Sequence, residues 1–212
     1  MRKIIFLVLL FICSTLAVSA QESIRVKYQG AQPTISDFAW AFLSSNDDDE
    51  EEDCVDESFN AIRAAWETHR KGLPQEEGVT LTIDQKNGFV VYEYKSEYED
   101  VKHLLRIEMC YWNESDGKHK LFAYNVCCFR NGECSPGQFD GLLFYRYDNA
   151  TKKMTLCNDV GFDVEFGTND GDDVAYISYA LPRTGKDIIL TTWYKRGKQQ
   201  KTLRWNGRRF TM

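Results

Sequence analysis

From Val79 to Phe210 the apolar residues recur every second position, and this change of period restricts the possible folds more than anything else in the 212 residues. Val79–Ile83 and Phe89–Tyr94 flank Asn87-Gly88, while Leu105, Ile107, Met109 and Tyr111 alternate with Arg106, Glu108 and Cys110 as a strand with one face in a core. Asp116-Gly117 turns that strand into Lys120–Phe129, and Asn131-Gly132 turns the chain back. Further strands are predicted at Leu142–Tyr147, Met154–Cys157, Phe162–Phe166, Val174–Leu181, Ile188–Tyr194 and Thr202–Trp205. The joining segments are too short for the crossovers that parallel strands require, so the pattern predicts an antiparallel meander of about nine or ten strands.

Ahead of this array the period is helical. Thr34 reads as an N-cap with Asp37 three residues on, followed by Ile35, Phe38, Ala39, Phe42 and Leu43 on one face. A second helix is predicted to start near Asp56, with Phe59, Ile62, Ala65, Trp66 and His69 on one face. Gly72, Leu73 and Pro74 stop it: a left-handed cap, an apolar residue to fold back, and a ring that cannot continue the helix. The expected fold class is therefore α+β, with two N-terminal helices packed on a large antiparallel meander sheet that curls enough to be barrel-like.

The first 20 residues have the form of a cleavable secretory signal. Arg2 and Lys3 precede the apolar run Ile4–Ile12, and Val18-Ser19-Ala20 supplies a small-residue cleavage pattern before Gln21. The run is shorter than the roughly 20 apolar residues of a bilayer span. Cys13 is a poor lipidation site, because Ile12 stands where a small residue is wanted. The expectation is a soluble periplasmic or secreted protein, without membrane insertion after cleavage, whose residues 21–212 form one globular domain.

Charge narrows the partners. Without residues 1–20 the chain carries 24 basic against 32 acidic side chains, a balance of −8, and seven of the acids form the run Asp47–Asp53 inside an acidic loop at 46–53. The remainder is close to neutral, and the richest basic stretch, Lys195 to Arg209, is interleaved with strand-like residues, so no nucleic-acid partner is expected. Seven consecutive carboxylates lack the glycine and alternate spacing that wrap a loop around a calcium ion. The solvated-loop reading is preferred, and in Asn169–Asp173 a turn.

Six cysteines follow the signal segment, an even number that in an exported chain favours disulfides, though spacing alone leaves 15 pairings open. One has a local argument: in Cys128-Phe129-Arg130-Asn131-Gly132-Glu133-Cys134 the Asn-Gly turn brings two cysteines together across a hairpin. Cys128 and Cys134 are the candidate disulfide, a bridge stabilising by about 2 kcal/mol. Neither the cysteines nor His69, His103 and His119 have metal-ligand spacing, and no cofactor fingerprint is present. His103 and Glu108, five apart on one strand, face opposite ways and make no acid–base pair. Leu181-Pro182-Arg183-Thr184-Gly185 resembles a sortase sorting pentapeptide, but no membrane-spanning stretch and basic tail follow, and the segment reads as a turn.

The signal segment, Gly30-Ala31-Gln32-Pro33-Thr34-Ile35-Ser36-Asp37-Phe38 and the ending Trp205-Asn206-Gly207-Arg208-Arg209-Phe210 together resemble small exported Bacteroidetes proteins of unassigned function. The resemblance implies an envelope or extracellular location and transfers no functional residue. The function expected from the sequence is a non-catalytic binding or interaction protein with a protein or glycan ligand, to which strand aromatics such as Trp112, Tyr145, Tyr147, Trp193, Tyr194 and Trp205 could contribute a surface. The competing expectation is a hydrolase of envelope or dietary polymers, using paired carboxylates that only the fold brings together.

Overall fold

The computed structural model describes residues 23–45, 57–136, 140–170 and 173–212. The signal segment, the acidic run 47–53 and Cys54 lie outside the described residues. The elements in chain order are β1 (Ser23–Arg25), α1 (Ile35–Ser45), α2 (Glu57–Arg70), β2 (Val79–Asp84), β3 (Phe89–Tyr98), β4 (Val101–Asn113), β5 (His119–Arg130), β6 (Glu133–Cys134), β7 (Gly141–Asp148), β8 (Lys153–Leu156), β9 (Gly167–Asp170), β10 (Asp173–Ala180), β11 (Ile188–Tyr194), β12 (Gly197–Trp205) and β13 (Phe210–Thr211).

The local signals act as their chemistry dictates. Thr34 donates its backbone N–H and its hydroxyl to the Asp37 carboxylate, each at 2.7 Å, closing the start of α1. At the end of α2, Gly72 takes φ +66°, its N–H reaching the His69 carbonyl while Leu73 reaches back to Thr68, the paired bonds of a glycine-capped terminus. Asn131 and Gly132 both have positive φ, the two-residue turn that matches strand twist.

Every strand pairing is antiparallel, but the array is divided. The larger sheet has eight strands, ordered β1-β8-β7-β5-β4-β3-β2 with β6 beside β5; the smaller has five, ordered β13-β12-β11-β10-β9. Both are open, so the curled, barrel-like outcome does not occur. The split falls at 157–166, where the expected strand Phe162–Phe166 is instead an irregular crossing segment. Its backbone is held from outside the ladder: the Tyr179 hydroxyl accepts from the Glu165 N–H and donates to the Glu165 carbonyl, and the Phe210 N–H donates to Val160.

Two apolar clusters lie on opposite faces of the larger sheet. Ile35, Phe38, Ala39, Phe42 and Leu43 of α1, and Phe59, Ile62, Ala65 and Trp66 of α2, are buried with Val90, Tyr92, Ile107, Met109, Phe122, Tyr124, Val126 and Tyr147. The Phe38 ring meets Phe122 at 6.0 Å and Tyr147 at 5.1 Å, and Phe42 meets Tyr124 at 4.7 Å. His69, expected on this face, is exposed. The alternate residues of the same strands, Phe89, Cys110, Trp112, Leu121, Ala123, Leu142 and Phe144, are buried with Ile177, Tyr179, Leu181, Ile188, Leu203 and Phe210 of the smaller sheet. The central strand β5 is consequently buried at every position from Lys120 to Cys127.

The crossing segment yields a test. Gly161 has φ +93°, and a Cβ there would stand 2.2 Å from the Phe210 carbonyl oxygen; Gly185 has φ +86° with nothing within 4 Å. Gly185→Ala meets only the left-handed backbone penalty, about 1 kcal/mol. Gly161→Ala adds a clash with backbone and is expected to cost about 3 kcal/mol or more in urea unfolding.

Candidate functional site

The face of the larger sheet that meets the smaller one carries a buried polar seam. Alternation on β4 puts Arg106 and Glu108 on that face beside Cys110, and on β5 it does the same for Asn125 and Cys127; Glu108 and Asn125 are direct cross-strand partners. Glu108 is 2% exposed and Asn125 1%. On β10 the Ile177 N–H bonds the Phe166 carbonyl beside β9, so the backbone groups of Tyr179 and Leu181 point to the same side, beyond the end of β9. The Asn125 amide donates to the Tyr179 carbonyl at 2.9 Å, and the Leu181 N–H donates to Glu108 Oε2 at 2.8 Å. Two side chains thus complete a strand edge that no strand among the described residues covers.

Charge in the seam is balanced by Arg106, whose Nε lies 2.9 Å from Glu108 Oε1 and whose Nη1 lies 3.6 Å from Glu93 Oε1. Burial is the largest influence on the Glu108 carboxyl and lifts its pKa above the ordinary 4.5, against Arg106, the Leu181 N–H and Asn125, which stabilise the anion. Glu93 is also held by Lys95 at 3.0 Å. Glu93 and Glu108 therefore share one guanidinium, and the buried member is already engaged with backbone. His103 is on the same strand but exposed, and it takes no part.

Beside the seam, where β3, β4 and β5 run past the smaller sheet, lies a groove of about 630 Å³. Its lining combines Leu104 and Phe129 with Lys95, Lys102, His103 and Arg106 and with the carboxylate of Glu97, the cross-strand partner of Lys102. The Phe129 ring packs edge-on against Trp193 at 6.2 Å, which fixes one wall. Asn131 in the β5–β6 turn fixes the other end, its side-chain oxygen accepting from the Lys102 N–H at 2.9 Å while its own N–H donates to the Lys102 carbonyl at 2.8 Å. The rim is of mixed charge, with Lys95 and Arg106 held by Glu93 and Glu108 and with Glu97 beside Lys102. An apolar floor next to Lys102, which forms no ion pair among the described residues, suits a ligand with an apolar body and a negative group.

A second cluster sits in the β4–β5 turn, where ligand atoms of Glu114, Asp116 and His119 lie within 4.8 Å of one another. Asp116 accepts from the Lys118 N–H at 2.8 Å and the His119 N–H at 3.0 Å. The hydrogen bond with the His119 ring does most to hold its pKa down, to about 2. Glu114 is bonded by Arg146 Nε at 2.7 Å. Both carboxylates are used in shaping the turn and anchoring β7.

Cys128 and Cys134 are not joined. The two-residue turn sets Cys134 opposite Phe129, one position from Cys128, and a one-residue offset puts the two sulfurs on opposite faces of the sheet. Burial raises the thiols of Cys127 and Cys134 to about 12 and about 11, so neither is a nucleophilic thiolate at neutral pH. Leu181-Pro182-Arg183-Thr184-Gly185 starts with a buried leucine held by Glu108 and continues with Arg183, paired to Asp84 at 2.9 Å, as a clasp between the sheets. Of the strand aromatics, Trp112 and Tyr147 are buried and Tyr194 is 40% exposed. No helix among the described residues is long and apolar enough to cross a membrane.

Glu108 makes the seam testable by pH. Its raised pKa means that the folded state holds the proton more tightly than the unfolded chain, so this contribution is full below about pH 4.5 and is lost as pH rises through the folded value. Glu108→Gln cannot titrate, so its stability relative to wild type is expected to improve as pH rises above about 4.5 and to level off once the folded-state carboxyl has ionised, as read in urea melts. Glu108→Leu leaves the Leu181 N–H unmet and removes one of the two carboxylates that hold Arg106, and is expected to cost about 2 kcal/mol at neutral pH.

No family model, no curated protein and no solved structure matches the chain.

Proposed function

We infer that the chain is an exported, non-catalytic binding protein that holds an amphipathic anion in the groove between the ends of β3, β4 and β5. The observation that carries this reading is the pairing, within about 630 Å³, of the apolar Leu104 and Phe129 with Lys102, which forms no ion pair among the described residues. Such a lining buries a hydrophobic body while giving its charged end a defined place. The signal-like leader supports delivery to the periplasm or the outside. The shared-guanidinium pair Glu93 and Glu108 does not favour the hydrolase reading: Glu108 is 2% exposed and its oxygens are engaged with Arg106 and the Leu181 N–H, and Glu97 is the one carboxylate that lines the groove among the described residues.

The test is a fluorescence titration of the purified mature protein with a dansyl-labelled long-chain fatty carboxylate. Saturable one-site binding is expected, weakened about tenfold by Lys102→Glu and about tenfold by Leu104→Asp. Absence of saturable binding, or binding indifferent to both substitutions, contradicts the reading.

A further inference from the structure

We propose that the outer edge of β12 is a docking site for an extended, acidic peptide strand, a surface separate from the groove. β12 runs from Gly197 to Trp205, and β11 pairs its inner side from Gly197 to Leu203. On the outer side, among the described residues, only β13 pairs it, and only at Arg204 and Trp205. Residues 197–202 are all exposed.

Two hydrogen bonds establish which backbone groups face outward. The Trp205 N–H donates to Asp187 Oδ1 at 3.1 Å, on the β11 side, and the Arg204 carbonyl accepts from the Thr211 hydroxyl at 3.5 Å, on the β13 side. Backbone groups alternate along a strand, so the N–H and C=O of Lys198, Gln200 and Thr202 share the direction of Arg204 and point away from β11. They form an open row of donors and acceptors at the strand repeat, which only another extended polypeptide matches group for group.

Side-chain charge says what that polypeptide carries. From residue 195 to the C-terminus there are seven basic side chains, Lys195, Arg196, Lys198, Lys201, Arg204, Arg208 and Arg209, and no acidic one, in a chain whose net charge is −6. None of the seven forms an ion pair among the described residues. Lys198 is positioned over the Trp193 ring at 4.7 Å, which stiffens one cation beside the edge. An added strand with carboxylates at alternate positions meets Lys198 on one face or Lys201 on the other, with Arg196 and Arg204 at the two ends.

The experiment measures fluorescence anisotropy of a labelled peptide alternating Asp with Val, added to the mature protein. Its controls are the same peptide N-methylated at alternate residues and a short duplex DNA competitor. Binding is expected to the unmodified peptide, about tenfold weaker to the N-methylated one, and about tenfold weaker to the Lys198→Glu/Lys201→Glu protein. Should that double variant lose its urea midpoint, the neutral pair Lys198→Gln/Lys201→Gln carries the same comparison. The proposal is overturned if the peptide does not bind, if N-methylation leaves its affinity unchanged, if duplex DNA displaces it as well as unlabelled peptide does, or if removing the two charges has no effect. The groove titration uses different residues, so either result stands without the other.

Discussion

The architecture depends on two buried polar side chains finishing a strand edge. A strand edge brought into the interior exposes N–H and C=O groups that cost about 1–3 kcal/mol each if left unmet. β10 enters the interior with the Tyr179 carbonyl, and the Leu181 N–H just past its end, uncovered by any described strand, and Asn125 and Glu108 of the larger sheet take them. These bonds fix where the smaller sheet lies on the larger. The clasp repeats nearby, where the Trp112 indole donates to the Lys186 carbonyl at 2.8 Å and Arg183 pairs with Asp84. The hydrophobic effect brings the two sheets together without choosing a register, and the polar seam chooses it.

Much of the fold is legible because its causes are local. The period of two, the Asn-Gly and Asp-Gly turns, the Thr34–Asp37 cap and the Gly72 stop each act within a few residues, and the elements they mark are present except the strand at Phe162–Phe166. The division of the array is not local. Phe162–Phe166 alternates like a strand, but the Tyr179 hydroxyl and the Gly161 contact with Phe210 hold it as a crossing segment. Glu108 illustrates the same limit: alternation with Ile107 and Met109 marks it as facing away from one core, and only the arrival of a second sheet turns that direction into an interior one. The continuous apolar run around β5 was the available signal for cover on both faces. The disulfide expectation failed on register, since a two-residue turn separates Cys128 from Cys134 by one position and so by one face.

The candidate site was less legible for the same reason. Lys102, Leu104, Arg106 and Phe129 come from two strands and acquire meaning only where those strands outrun the covering sheet. The basic character of Lys195–Arg209 was visible, but its position on an open edge was not. The uneven cover of one sheet by another generates both surfaces: it leaves the β3–β4–β5 ends as a groove and extends β12 beyond its partner β13.

The central claim, that side chains of the larger sheet complete the edge of the smaller and make the two a cooperative unit, is tested most directly by native-state amide hydrogen exchange. The Leu181 amide and those of Ile188–Thr192 are expected to exchange with the same opening free energy as the amides of β4 and β5. If the Leu181 and β11 amides exchange at a much lower opening free energy while β4 and β5 stay protected, the smaller sheet opens alone and the seam does not join them.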